Sequence, residues 1–279
     1  MALESPGTQA GLDADAAFLR LAAVVRSHLG LDLEMYRSAQ LMRRIGYFRD
    51  RHGLADDRQL ADRLAADAPL RAAFADHLTI NVTEFFRDRE RFEVLRSRIL
   101  PSLLARRPAL RIWSAGCSTG AEVYSVAMLL ADLAPGRGHR LHATDIDVRM
   151  LERVRRAQYS THEVQSIPSD MRARHLEPSA DGWRIRAPVR ETVRVVRHNL
   201  LADPAPGCFD LILCRNVVIY FTADAKAGLY RRFSAALADE GHLFVGATEA
   251  LFGYRDLGLE QVEPCFYRKP AGLRAPVAG

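Results

Sequence analysis

A chain of 279 residues, 48% hydrophobic and 26% charged, has room for one large domain or a large one beside a small one. No apolar run reaches the roughly 18 residues that suggest a membrane span. The net charge of +5 favours an acidic partner without choosing among nucleic acid, an anionic surface and an acidic protein. The start, MALESPGTQAGLDADAAF, has no basic stretch leading into an apolar one, so the expected address is the cytoplasm. Cys117, Cys208, Cys214 and Cys265 form no CxxC pair and no Cys/His cluster at zinc spacing. They read as packing residues, and no metal is expected.

Residues 13–76 are rich in Ala, Leu and Arg with helical periodicity, and are read as a small all-helical domain. Within it, Tyr36–His52 places Leu41, Ile45 and Phe48 on one face of a helix. Arg37, Arg44 and Arg51 form a stripe beside that face, with Arg43 further round and Arg49 on the other flank. Residues 77–108 are read as a linker, with Asn81–Leu104 a loop entering a helix that Pro101 and Pro108 halt.

From about Leu110, short β-rich runs alternate with helical stretches, the mark of a mostly parallel α/β sheet across 109–270. Strands are predicted at Leu110–Ser114, Arg140–Thr144, Thr192–Arg197, Phe209–Cys214 and His242–Gly246. Helices are predicted at Ala121–Leu133, Val148–Ala157 and Ala223–Ala238, with a closing hairpin around Leu259–Val262 and Cys265–Arg268. His175–Val189 interrupts the alternation: Asp181-Gly182 signals a tight turn, and the segment is read as a small β-hairpin insertion.

The first strand opens through Ser114-Ala-Gly-Cys-Ser-Thr-Gly120 directly onto a helix, where a doubly wound sheet binds its ligand. Gly116 and Gly120 let the backbone turn and approach a ligand closely. The turn is neither G-x-G-x-x-G nor a P-loop, and no lysine follows it. Thr119-Gly-Ala-Glu122 also fits a capping box, which would give Glu122 a purely local task. Asp145 follows the second strand, where this architecture sets a carboxylate against ribose hydroxyls, although Asp145 or Asp147 also suits a helix cap. Asn199-Leu200 ends the third strand and Arg215-Asn216 the fourth. Together these strand ends form a crevice for a nucleoside.

Five blocks in order carry a family resemblance: NVTEFFRD (Asn81–Asp88), RIWSAGCSTGAEVYS (Arg111–Ser125), ATDID (Ala143–Asp147), FDLILCRNVVIYF (Phe209–Phe221) and HLFVGATEAL (His242–Leu251). The chain resembles the chemotaxis receptor glutamate O-methyltransferases, the CheR family, over nearly its whole length. The resemblance implies a Rossmann-like domain that binds S-adenosylmethionine (SAM), an all-α domain before it, and a small inserted β-subdomain. It implies SAM contacts at Asn81, Thr83, Arg87, Glu122, Asp145, Asn199, Leu200, Arg215 and Asn216. Ala121 stands where an acidic residue is commoner in the family, and the insertion looks shorter than in members that dock a receptor's C-terminal pentapeptide.

The implied reaction moves a methyl group from SAM to the side-chain carboxylate of receptor glutamates, leaving S-adenosylhomocysteine. A glutamate with a reference pKa of about 4.3 is already anionic at neutral pH, so no general base is required. Arg87 and Tyr220 are the side chains expected to serve the chemistry, Arg87 by paired hydrogen bonds to a carboxylate and Tyr220 by its hydroxyl or ring. Read from spacing alone, Tyr220 is better explained as an aromatic core residue beside Phe221. The resemblance makes Arg43, Arg44 and Arg51 a docking surface for the acidic helices of a receptor's cytoplasmic domain. The chain is expected to act as a monomer at receptor arrays, without inserting into the membrane. Two rivals remain: a SAM-dependent methyltransferase of RNA or another substrate, and a SAM-binding signalling module without turnover. Against nucleic acid, Arg215-Asn-Val-Val replaces the Asn/Asp-Pro-Pro-aromatic motif of base methylators, and no basic run is interleaved with aromatics.

Overall fold

The computed structural model describes residues 6–36, 38–78 and 83–272. The chain divides into two compact units, residues 1–80 with 220–225, and residues 81–219 with 226–279.

The first unit is helical: α1 (Pro6–Leu29), α2 (Ser38–Arg51), α3 (Asp57–Ala66) and α4 (Ala68–Leu78). Asp56 caps α3 by accepting the Gln59 N–H, and Asp67 accepts the Leu70 N–H in the first turn of α4. Leu41, Ile45 and Phe48 of α2 are buried as their spacing predicts, with Phe48 edge-on to Phe74 of α4. Residues 220–225 join this unit through an isolated bridge between Tyr36 and Phe221, whose rings meet edge to face at 5.3 Å.

The second unit opens with α5 (Arg89–Val94), continues through a π-helical turn at Leu95–Ile99, and runs on into α6 (Leu100–Leu104). The predicted stop at Pro101 does not occur. The wider turn upstream lets the Leu100 N–H bond the Leu95 carbonyl, and Pro101 then sits in the first turn of α6, where its missing N–H is tolerated.

The remaining elements are β1 (Arg111–Ala115), α7 (Ala121–Leu133), β2 (Arg140–Asp145), α8 (Val148–Arg156), β3 (Gln158–Tyr159), α9 (Ser169–His175), β4 (Leu176–Ser179), β5 (Gly182–Ile185), α10 (Ala187–Arg190), β6 (Val193–Arg197), β7 (Phe209–Cys214), α11 (Ala223–Ala236), β8 (Leu237–Val245), β9 (Glu260–Glu263) and β10 (Phe266–Arg268). The seven-stranded sheet has the order β6-β2-β1-β7-β8-β10-β9. Its strands from β6 to β8 are parallel, and β10 and β9 close it antiparallel. This bears out the doubly wound reading with its closing hairpin. β7 is buried along its whole length, Cys214 included, as expected of a central parallel strand.

The predicted hairpin insertion is larger than expected. β4 and β5 pair around Ala180-Asp181, and β3 joins them in a three-stranded sheet of order β3-β5-β4. β3 is too short to show a strand alternation in sequence. β8 also begins five residues before the predicted His242, at Leu237, with Glu240 in the left-handed region (φ 64°).

His242 lies on β8 opposite Arg268 of β10 and is buried. Burial pushes its pKa down to about 4, with Arg268 and Arg106 adding to the shift and Glu240 opposing it. Because the unfolded chain takes up this proton first, stability falls as pH drops from about 6.5 towards 4. The loss from this group reaches about 2 kcal/mol by pH 5. Thermal melts from pH 7 to pH 4.5 should show a shallower acid loss in His242→Gln than in the wild type.

Candidate functional site

The order of the strands reverses between β1 and β7, since the chain fills the sheet outward through β2 and β6 before returning to β7 and β8. A crevice at the carboxyl ends of these strands follows from that reversal. Gly116 and Gly120 turn through φ of 80° and 89°, and Ser118 between them is also left-handed at 48°. The Thr144 carbonyl, at the end of β2, accepts both the Gly116 and Cys117 N–H groups at 2.9 Å, which anchors the turn to the neighbouring strand. A Cβ on Gly116 would lie 2.6 Å from the Val217 side chain, so sterics and dihedral both require glycine there.

Of the two aspartates that suited a helix cap in the sequence, the structure gives that task to Asp147. Asp147 caps α8, accepting the Arg149 and Met150 N–H groups. Asp145 accepts the Ser118 N–H at 2.8 Å through one oxygen and the Asp147 N–H at 3.0 Å through the other. Burial raises the Asp145 pKa, against the pull of these backbone N–H groups. A carboxylate has about four acceptor positions, so these backbone donors leave acceptor capacity for a ligand hydroxyl. Beside it, Ser118 Oγ is buried with no hydrogen-bond partner among the described residues. A carboxylate next to an unused hydroxyl, on a turn after the first strand, has the chemistry to fit the ribose of an adenosine cofactor.

The capping-box reading of Glu122 is overturned. The α7 N-cap is Gly120, without a side-chain cap, and the Thr119 carbonyl is taken by the Tyr159 hydroxyl. Glu122 instead accepts the Ser114 hydroxyl at 2.9 Å and Arg215 Nη1 at 3.3 Å. Burial raises the Glu122 pKa, opposed by Arg215 and Ser114.

Arg215 is the hub of the crevice wall. Its side chain is 2% exposed and lies over the ring of Phe244, 4.5 Å from the centroid, with Phe92 at 5.3 Å. Besides Glu122, it donates to the Arg87 carbonyl and pairs with Asp88. Arg87 is thus held from behind, between the left-handed residues Phe86 (φ 54°) and Asp88 (φ 62°). Its neighbour Asp88 pairs with Arg215. Thr83 is half-buried on the same segment, whereas Asn81 lies outside the described residues.

At the end of β6, Asn199 Oδ1 accepts the Leu201 N–H and the Asp203 carboxylate accepts the Asn199 N–H, so the turn is shaped by its own side chains. The neighbouring Leu200 is buried. Asn216 is left-handed (φ 60°), and its N–H goes to Glu249 at 2.6 Å. Asp88, Ser114, Ser118 and Glu249 were not singled out in the sequence. Each lies in a motif block, but Asp88, Ser118 and Glu249 meet partners remote in the chain, and Ser114 meets Glu122 across the glycine turn.

In the helical unit, Arg43 and Arg51 are exposed on α2 and Arg37 lies outside the described residues. Arg44 departs from the expected solvent stripe: it is half-buried and donates to the His77 carbonyl. Burial lowers its pKa, with neighbouring Tyr220 opposing the shift. Tyr220, grouped with this unit, therefore faces Arg44. No described helix is long and apolar enough to cross a membrane. Among the described residues no group of three or more His, Cys, Asp or Glu is arranged to hold a metal ion.

Two family models match the chain: the SAM-binding domain of CheR methyltransferase over residues 81–263, and the CheR methyltransferase all-alpha domain over residues 16–79. The chain is 36% identical over 258 residues to a chemotaxis protein methyltransferase of Listeria monocytogenes, covering 92% of this chain and 98% of that protein. It is 31% identical over 250 residues to chemotaxis protein methyltransferase 1 of Pseudomonas aeruginosa, covering 85% and 91%. A similar protein in Vibrio cholerae, also named chemotaxis protein methyltransferase 1, is 35% identical over 195 residues, covering 67% and 71%.

Proposed function

We propose that this chain, which belongs to the CheR methyltransferase family, methylates glutamate side chains on the helical cytoplasmic domain of chemotaxis receptors, using SAM. The observation that carries the cofactor part is the Asp145–Ser118 pair on the glycine turn at the strand reversal. The substrate part rests on the relatives' names, on the anionic nucleophile that such a crevice suits, and on the basic residues of α2.

SAM, when bound, supplies a methyl group on a sulfonium centre. Asp145, Ser118 and the glycine turn hold the nucleoside; Thr83, Asn199, Leu200 and Asn216 line its remaining faces. Glu122 and Arg215 act through the wall they build. Arg87 receives a carboxylate, and its backbone geometry makes its reach reproducible. Tyr220 orients the incoming glutamate. No proton has to leave the nucleophile, so the protein's work is alignment and exclusion of water from the carboxylate. Arg43 and Arg51 meet the acidic face of a receptor helix; Arg44 is committed within its own unit and supports Tyr220.

The direct test mixes the purified protein, methyl-labelled SAM and membranes containing methyl-accepting receptors. Base-labile label on the receptor is the expected result. Label on RNA, or cofactor binding without transfer, would overturn the reading. Charge reversal of Arg43 and Arg51 together should lower receptor methylation at least tenfold at low salt, with affinity for S-adenosylhomocysteine unchanged.

A further inference from the structure

We propose that Glu249 is a positioning residue for methyl transfer: it clamps the left-handed turn at Asn216 and so fixes the Arg215–Asn216 wall of the cofactor crevice. The proposal rests on the cofactor reading above.

Where β7 ends, Asn216 leaves the strand conformation, and its N–H loses a ladder partner. Glu249 supplies the acceptor from the turn after β8. One carboxylate oxygen, Oε2, takes both the Asn216 N–H at 2.6 Å and the Gly246 N–H at 2.9 Å. The turn closes with the Glu249 N–H on the Gly246 carbonyl at 2.9 Å. Gly246 leaves space for this approach, since a Cβ there would lie 2.4 Å from Glu249 Oε2. The next residue, Val217, is the one that abuts Gly116. One carboxylate therefore ties the ends of β7 and β8 together, and Val217 carries that register to the glycine turn after β1.

Glu249 is 5% exposed, and its second oxygen is buried without a hydrogen-bond partner among the described residues. Packing alone does not account for an acid here. A leucine would fill similar space while stranding two backbone donors. The negative field of Glu249 also reaches Glu122, adding to the upward push that burial gives that carboxyl.

The test compares Glu249→Gln, Glu249→Asp and Glu249→Leu by calorimetric titration with S-adenosylhomocysteine, by melting temperature, and by kcat and KM for SAM. Gln keeps an acceptor at the same reach and should hold affinity within about threefold of wild type. Leu removes both bonds and should weaken binding about tenfold or more at temperatures where circular dichroism shows it folded. Its KM for SAM should rise more than its kcat falls. A folded Leu variant with wild-type affinity would sink the proposal, because a purely structural clamp lowers only the melting temperature. Should Leu fail to fold, Gln and Asp decide it: Asp, one methylene short, should bind more weakly than Gln. Equal affinities or the reverse order overturns the clamp. Wild-type protein that binds no S-adenosylhomocysteine would instead remove the cofactor reading beneath it.

Discussion

Replacing Arg215 with alanine is expected to lower the stability of the SAM-binding unit by about 3–5 kcal/mol and to abolish measurable transfer. The guanidinium is enclosed by Phe244 and Phe92, and its removal leaves a cavity and an uncompensated Glu122, whose side chain is only 13% exposed. It also releases the Arg87 carbonyl and Asp88, so the segment that presents Arg87 loses its rear support. The sign of the pH dependence is diagnostic. Glu122 already has a raised pKa from burial, and losing Arg215 raises it further. The folded variant then binds a proton that the unfolded chain has released, so stability increases as pH falls towards the ordinary carboxylate range. Chemical denaturation of Arg215→Ala at pH 8 and pH 5.5 should show the smaller deficit at pH 5.5. Adding Glu122→Gln to Arg215→Met should recover part of the loss, because the buried charge is then gone.

Asp145→Ala is expected to weaken S-adenosylhomocysteine binding about 10- to 100-fold, the effect of losing a charge-assisted hydrogen bond to a ligand. Its stability cost is expected to be smaller, since the Ser118 and Asp147 N–H groups it satisfies belong to partly exposed turn residues. In the wild type, burial raises the Asp145 pKa, so affinity should fall on the acid side as the carboxylate protonates, earlier than for an ordinary aspartate. Isothermal titration from pH 8 to pH 5 tests both statements. An Asp145→Ala protein that binds with wild-type affinity would show that the ribose is held elsewhere.

These residues differ in how far the sequence could announce them. Strand β7 is legible because burial on both faces writes a nearly continuous apolar run, FDLILC, broken only by the buried Asp210. The turn at Gly116–Gly120 was legible because positive φ and close approach demand glycine. Glu122 fitted a cap as well as a cofactor contact because Thr-x-x-Glu is a local pattern, while its partner Arg215 is 93 residues away. The uncapped Gly120 and the engagement of the Glu122 carboxylate by Ser114 and Arg215 decide against the cap. Glu249 stood in plain view within HLFVGATEAL, yet nothing local shows that it reaches back 33 residues to Asn216. Arg44 fell on the predicted stripe, but a helical wheel carries no record of the His77 carbonyl that draws it inward. Tyr220 illustrates the same limit, since chain order sets it after β7 while its contacts group it with the helical unit.

The left-handed residues Phe86, Asp88, Ser118 and Asn216 all sit on the walls of one crevice. Each such conformation costs on the order of 1–3 kcal/mol, so this is the part of the sheet's rim with most to gain by relaxing. In the free protein these turns are expected to open at a lower free energy than the strands behind them. A nucleoside that binds only the closed arrangement raises the opening energy by RT ln(1 + [L]/Kd), about 2.7 kcal/mol at a hundredfold excess over Kd. Cofactor binding is therefore expected to stiffen these turns, which hydrogen exchange with and without S-adenosylhomocysteine would measure.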